Sequence, residues 1–169
     1  MKIGADLRAK AAQLYSVPST KNLFKTLFSD GSVSSIIIRL ACACYAGPPV
    51  MALLGYLLMR FNKLVGGIVV GRGVSIDEGF MLMHTVGVVF NGKATIGKRC
   101  IVHGAVVVGA KNRLSPSIGD DVEIGSGAKI LGDVHVGNGA VIGANAVIVR
   151  DVEEGCIVVG VPGEVRKRR

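Results

Sequence analysis

Residues 118–152 read IGDDVEIGSGAKILGDVHVGNGAVIGANAVIVRDV. A branched aliphatic residue returns every six positions, at Ile118, Ile124, Ile130, Val136, Ile142 and Ile148. Four positions after each stands a small or branched residue: Val122, Ala128, Val134, Ala140, Ala146 and Val152. Glycine often follows the aliphatic, at Gly119, Gly125, Gly137 and Gly143. A period of six suits neither a helix, which repeats at 3.6, nor a plain strand, which repeats at 2. It suits a short strand and a turn, with two inward positions per repeat. Three such strands close one coil of about 18 residues, and the coils stack about 4.8 Å apart as a triangular prism. The expected fold is mostly β, a parallel β-helix of hexapeptide repeats. The rule for parallel crossovers predicts a right-handed coil.

The register continues upstream through Val70, Ile76, Leu82 and Val88, then Ile96, Val102 and Val108. It implies an insertion of two residues around Asn91-Gly92 and one of four within residues 109–119. Such insertions become corner loops, and loops on one face often carry function. Composition agrees with this architecture. The 169 residues suit one domain, and 50% apolar against 19% charged residues excludes disorder as the main state. Aromatics are 5% with no Trp, and Gly numbers 24, which calls for regular layers of small side chains.

Residues 1–64 differ. SSIIIRLACACYA and VMALLGYLLMRFNKL are apolar runs separated by Gly47-Pro48-Pro49. The expected elements are helices near 4–15, 33–46 and 50–64, with the break at the prolines. The runs fall short of the roughly 20 apolar residues that a spanning helix needs. These helices pack on the prism end or on each other, or rest on a membrane surface through residues 33–64. The predicted division is 1–64 helical, 65–160 β-helix and 161–169 a basic tail.

Charge is +8 and uneven. Residues 1–66 carry eight Lys/Arg against Asp6 and Asp30, for +6, residues 67–165 carry −2, and the last four residues add +4. No nucleic-acid-binding spacing is present, so the distribution points to an anionic membrane or a phosphorylated ligand. Cys42, Cys44, Cys100 and Cys156 form no CxxC pair and follow a polar N-terminus. They read as reduced, buried thiols of a cytoplasmic protein, one that could sit at the inner membrane face.

Three histidines exist, His84, His103 and His135. With Leu82, Val102, Ile124 and Ile142 on one prism side, the third positions of these repeats align as His84, Gly104, Ser126 and Ala144. An imidazole then ends a line of small residues along which a long, thin ligand can lie. His103 falls in the next coil, shifted by one position. His135 falls on another side, which leaves no set of three converging histidines for a metal site like that of γ-type carbonic anhydrases.

The run MHTVGVV at 83–89, the repeat stretch at 125–152 and Val159-Gly160-Val161-Pro162 resemble the serine acetyltransferase branch of the hexapeptide acyltransferases. The resemblance covers roughly residues 60–167. It implies a left-handed coil, which replaces the right-handed expectation. It also implies a homotrimer, with a dimer of trimers left open, and acetyl-CoA as donor without a metal. By position it makes His84 the general base. It places CoA contacts at Gly109, Ala110, Ser126, Gly127 and Ala144, with Arg166 and Lys167 of the tail able to approach phosphates unless the tail is a solvated end. His103 and Ser115 become candidate acceptor contacts. The family's acidic partner of the base falls at Val69, its Asp before the base at Met83, and its Arg-His loop pair at Leu114-Ser115. These departures predict an uncharged acceptor hydroxyl, that of a saccharide or cell-surface glycan precursor, with serine of cysteine biosynthesis as the alternative. They leave the orientation of His84 to a backbone carbonyl or His103. A trimer that kept the fold without catalysis is the further alternative.

Overall fold

The structure, a computed structural model, describes residues 2–16 and 19–168. Four helices precede the repeats: α1 (Ile3–Tyr15), α2 (Thr20–Leu27), α3 (Ser32–Tyr45) and α4 (Pro49–Gly66). Three match the expected helices. The fourth, α2, was not expected; it starts where the Ser19 hydroxyl accepts the Asn22 N–H at 3.2 Å, a cap that satisfies an otherwise orphaned donor. Pro49 opens α4 at a position where its missing N–H costs nothing.

The repeats form three parallel sheets around one core. The first face holds β1 (Val69–Val70), β4 (Val89–Phe90), β7 (Val107–Gly109), β10 (Lys129–Leu131) and β13 (Val147–Ile148). The second holds β2 (Ser75–Ile76), β5 (Thr95–Ile96), β8 (Ser117–Ile118) and β11 (His135–Val136). The third holds β3 (Met81–Leu82), β6 (Ile101–Val102), β9 (Glu123–Ile124), β12 (Val141–Ile142) and β14 (Cys156–Val159). On its far edge β15 (Glu164–Arg168) pairs antiparallel with β14, with Lys167 opposite Ile157. The basic tail is therefore a paired strand, exposed to solvent, rather than a free end; Arg169 lies outside the described residues.

Register explains the period. Leu82 pairs with Val102, Val102 with Ile124, and Ile124 with Ile142, as the sequence predicts. All four side chains are fully buried. The small positions Ala94, Val106, Val122, Ala128, Ala140 and Ala146 are buried beside them, as are Cys100 and Cys156, whose thiols act as small apolar fillers. Burial pushes the Cys100 thiol up to about 11, well away from a reactive thiolate.

One register reading is corrected. Val70 pairs with Phe90 and Phe90 with Val108, so Phe90 rather than Val88 takes the core position. The two extra residues therefore fall between Leu82 and Phe90, in the corner that carries His84, and not around Asn91-Gly92. Val88 is also buried, which is why either residue satisfied the pattern. The four-residue insertion holds as read; Lys111 and Leu114 exchange backbone hydrogen bonds across it. The coil winds left-handed. The right-handed rule rests on twisted strands feeding a crossover helix. Here most strands are two residues long and the crossovers contain no helix, so neither cause operates.

The helices close the first coil. Asp6 and Arg39 form a buried, two-pronged pair at 2.7 and 3.0 Å. Arg39 also donates to the carbonyls of Ile76 and Asp77, and Asp6 accepts the Phe80 N–H at 3.1 Å. These bonds satisfy backbone groups that no lower coil is there to meet. Phe80 and Phe90 pack edge to face with centroids 6.0 Å apart and fill the base of the prism.

Ile130 is fully buried in a middle coil, where neighbouring layers hold the space open. Ile130→Ala is expected to lower unfolding free energy by about 2–5 kcal/mol in chemical denaturation. A loss under about 0.5 kcal/mol would contradict a close-packed interior.

Candidate active site

His84 sits on the lengthened corner after β3. Its side chain is 63% exposed, so the ring can meet a ligand. The corner also holds Thr85, buried, whose carbonyl accepts the Val88 N–H at 3.1 Å. The next coil rises directly above: a Cβ built on Gly104 would lie 3.2 Å from the His84 Cβ. Coil stacking continues through the Gly104 carbonyl, which accepts the Gly127 N–H, and the Ser126 carbonyl, which accepts the Asn145 N–H. The column His84, Gly104, Ser126, Ala144 thus stands as the spacing predicts.

The partner of His84 comes from the helices. Its Nδ1 lies 2.9 Å from Oδ2 of Asp30, in the turn between α2 and α3. The sequence reading offered a backbone carbonyl or His103 for this task, and neither performs it. His103 lies in the next coil with its Nε2 3.5 Å from a Glu123 carboxylate oxygen. His135 bonds through Nδ1 to the Ser117 hydroxyl at 2.9 Å on another face.

Asp30 is held in place by two features. Gly31 has φ +79°, and a Cβ there would lie 2.1 Å from the Leu82 carbonyl oxygen. Only glycine lets the turn close onto the end of β3. Beneath it, the buried Lys10 ammonium donates to the Leu82 carbonyl at 2.6 Å and to the Asp30 carbonyl. One amine thus joins the turn to the strand that carries the base. Burial pushes Lys10 down to about 8, with Asp30 opposing the shift. Sequence reading singled out neither Asp30 nor Lys10. The sequence carries only local hints: an Asp-Gly pair before the apolar run of α3 and, in α1, Lys10 one turn after Asp6.

The remaining candidates divide between corners. Ser126, Gly127 and Ala144 share the corner of His84. Gly109 and Ala110 lie on the next corner, after β7, and so does Ser115, whose hydroxyl donates to the Asn91 side-chain oxygen at 2.8 Å. A shallow groove there is lined by Gly71, Arg72, Asn91, Lys93, Ala110 and Arg113. Lys167 stands on β15, five strand steps or roughly 24 Å along the third face from β3. Val69 is partly exposed on β1 and offers the base no charge. Among the described residues no group of three or more His, Cys, Asp or Glu is placed to hold a metal.

An open imidazole backed by a carboxylate, at the foot of a small-residue column, is equipped to deprotonate a hydroxyl beside an extended ligand. Known proteins share the fold that carries it. Residues 115–150 match the family described as bacterial transferase hexapeptide (six repeats). Over 153 residues the chain is 32% identical to a serine acetyltransferase of Bacillus subtilis, covering 88% of this chain and 70% of that one. The chain belongs to the serine acetyltransferase family of hexapeptide-repeat acyltransferases. A second relative, the serine acetyltransferase of Synechococcus elongatus, is 34% identical over 113 residues, covering 64% of this chain and 46% of that one. The crystal structure of the Neisseria gonorrhoeae serine acetyltransferase in complex with serine aligns with a TM-score of 0.84 at 30% identity, over 96% of this chain and 67% of that one. The chain spans about half the length of most of the curated family members it matches.

The lowered Lys10 carries a pH signature. Between about pH 8 and 10.5 the unfolded chain holds a proton that the folded one has released. Stability owed to Lys10 therefore rises with pH across that window. The unfolding free energy of wild type relative to Lys10→Met is expected to grow by about 1–3 kcal/mol from pH 8 to pH 10. A difference that stays flat, or falls, would contradict a desolvated ammonium under the turn.

Proposed function

We propose that the chain transfers the acetyl group of acetyl-CoA to the hydroxyl of serine, with His84 as general base. The observation that carries this reading is the Asp30–His84 pair on an open corner. Asp30 accepts a hydrogen bond from Nδ1–H, which leaves the Nε2 lone pair for the acceptor hydroxyl. As the hydroxyl oxygen bonds to the thioester carbonyl carbon, its proton passes to His84. The tetrahedral intermediate then expels the CoA sulfur, which takes that proton back from His84 as a thiol. The small column of Gly104, Ser126 and Ala144 leaves space for the donor's extended arm.

The acceptor reading changes from that of the sequence. A saccharide hydroxyl was favoured because Val69, Met83 and Leu114 supply no charge for an amino acid. The helical region brings a carboxylate to that place, for Asp30 is 58% exposed and able to meet an ammonium as well as the ring. The relatives named serine acetyltransferase point the same way. What still favours an uncharged acceptor is the loop itself, where exposed Leu114 and half-buried Ser115 offer no cation. Arg113, one residue earlier and at φ +66°, is the guanidinium available for a carboxylate. The reading places three copies in a ring, so that the Gly109–Ser115 corner of one faces the His84 corner of the next and completes the CoA site. The non-catalytic alternative drew on the missing acid at Val69, and Asp30 removes that motive.

The test is CoA thiol release from acetyl-CoA with L-serine or a saccharide panel. His84→Ala is expected to lower kcat by about 10²–10⁴-fold with oligomeric mass unchanged. Retained turnover would overturn the mechanism, and acetylation of saccharides with none of L-serine would overturn the acceptor.

Asp30→Asn is expected to lower kcat by at least about tenfold, because an amide cannot hold the imidazolium as a carboxylate does. Gly31→Ala should follow it by displacing the turn. Full kcat in Asp30→Asn would remove Asp30 from the mechanism.

A further inference from the structure

Helix α4 is built inside out for a free-standing protein. The residues it buries are Gly55, Asn62 and Gly66, which face α3. Gly55 lies against the Ala41 carbonyl and the Tyr45 ring, Gly66 lies against the Ser34 hydroxyl, and Asn62 donates to the Ser34 carbonyl at 3.3 Å. The opposite side carries Val50, Leu53, Leu54, Leu57, Phe61 and Leu64, all exposed, from 44% at Leu54 to 84% at Leu64. Their spacing of three, one, three, four and three keeps them within one stripe about 120° wide. The stripe runs the length of an 18-residue helix, about 27 Å. Single exposed apolar residues are ordinary; a continuous stripe is not.

Charge says what covers it. Tyr56, Arg60 and Lys63 follow one edge of the stripe. The Arg60 guanidinium lies 5.2 Å from the Tyr56 ring centroid, with its Nε donating to the Tyr56 hydroxyl at 2.8 Å. They and Arg72, stacked on Tyr45, line a groove of about 360 Å³ that contains no acid. The two acids of residues 1–66 are both committed elsewhere, Asp6 to Arg39 and Asp30 to His84. The end of α2 repeats the theme, with exposed Phe24 and Phe28 in edge contact and Lys21 and Lys25 on the same helix. A second copy docked face to face would bring the same cations against these and be repelled. An anionic surface of low polarity would meet both the stripe and its edge. No single described helix is long and apolar enough to cross a membrane, so α4 would lie on the surface.

We propose that the outward face of α4 seats the protein on an anionic phospholipid membrane, with the stripe in the acyl boundary and Arg60, Lys63 and Arg72 on the lipid phosphates. Of the 33–64 segment that the sequence offered for membrane contact, α3 is mostly buried and only α4 presents such a face. The site with His84 plays no part in this surface.

The experiment is co-sedimentation of the full chain with phosphatidylglycerol-containing vesicles and with pure phosphatidylcholine vesicles, beside sedimentation velocity without lipid. Wild type is expected to pellet with the anionic vesicles and to be released by salt. Leu57→Glu with Leu64→Glu should abolish pelleting with mass and melting temperature unchanged, because both positions are exposed. Removing Arg60 and Lys63 should weaken binding about fivefold for each cation. Wild type that ignores anionic vesicles, or a glutamate variant that still binds them, overturns the proposal. A glutamate variant that loses oligomeric mass overturns it too, and assigns the stripe to a second copy.

Discussion

The site depends on one close approach, that of the Ser29-Asp30-Gly31 turn to the end of β3. Gly31 lies so near the Leu82 carbonyl that no side chain fits between them. Lys10 then bridges the same carbonyl and that of Asp30. A buried ammonium is costly, and the downward shift of Lys10 records that cost. What offsets it is the satisfaction of two carbonyls that face away from the coil stack. With the turn fixed, the Asp30 carboxylate lies beside the His84 ring, 2.9 Å from its Nδ1. The helices therefore do more than plug the prism. They supply the carboxylate that meets the His84 ring.

The prism was legible because its constraint is local and repeated. Each coil must place an aliphatic side chain inward once per strand, and stacking makes the next coil obey the same spacing. The column from His84 to Ala144 followed from counting alone. Where counting failed, two residues met the same requirement. Val88 and Phe90 are both apolar and both buried, so a period of six could not choose between them. Backbone pairing chose Phe90, and with it moved the extra length to the corner of the base. Handedness failed for another reason. The rule that predicts it describes crossovers of a kind this chain does not contain.

Asp30 was not legible, and the reason is distance along the chain. It stands 54 positions before His84, in a turn whose placement depends on how α1 and α3 seat on the first coil. No periodicity connects it to the repeats. A hydrogen bond is indifferent to such separation once the fold has paid the closure entropy, which grows only slowly with loop length. A carboxylate from a helix turn can thus serve where the neighbouring strand offers only Val69.

That substitution changes what the missing charges mean. Read along the repeats, Val69, Met83 and Leu114 describe a site stripped of acids and bases, suited to a neutral hydroxyl. Read in space, the same site has a carboxylate at 2.9 Å from the imidazole and half open to solvent. Such a carboxylate has two oxygens. One lies against Nδ1 of His84; on the proposed reading the other receives the ammonium of serine, so that a single residue serves the base and the acceptor. The loop at 110–116 then needs only one cation for the carboxylate end, and it carries two candidates, Lys111 and Arg113. Arg113 is the better fitted, since its planar guanidinium meets a carboxylate in two parallel hydrogen bonds whereas an ammonium meets it as a point charge. On the proposed reading, acceptor choice turns less on which residue types the repeats retain than on which ones the helices of one copy and the 110–116 loop of the next bring together.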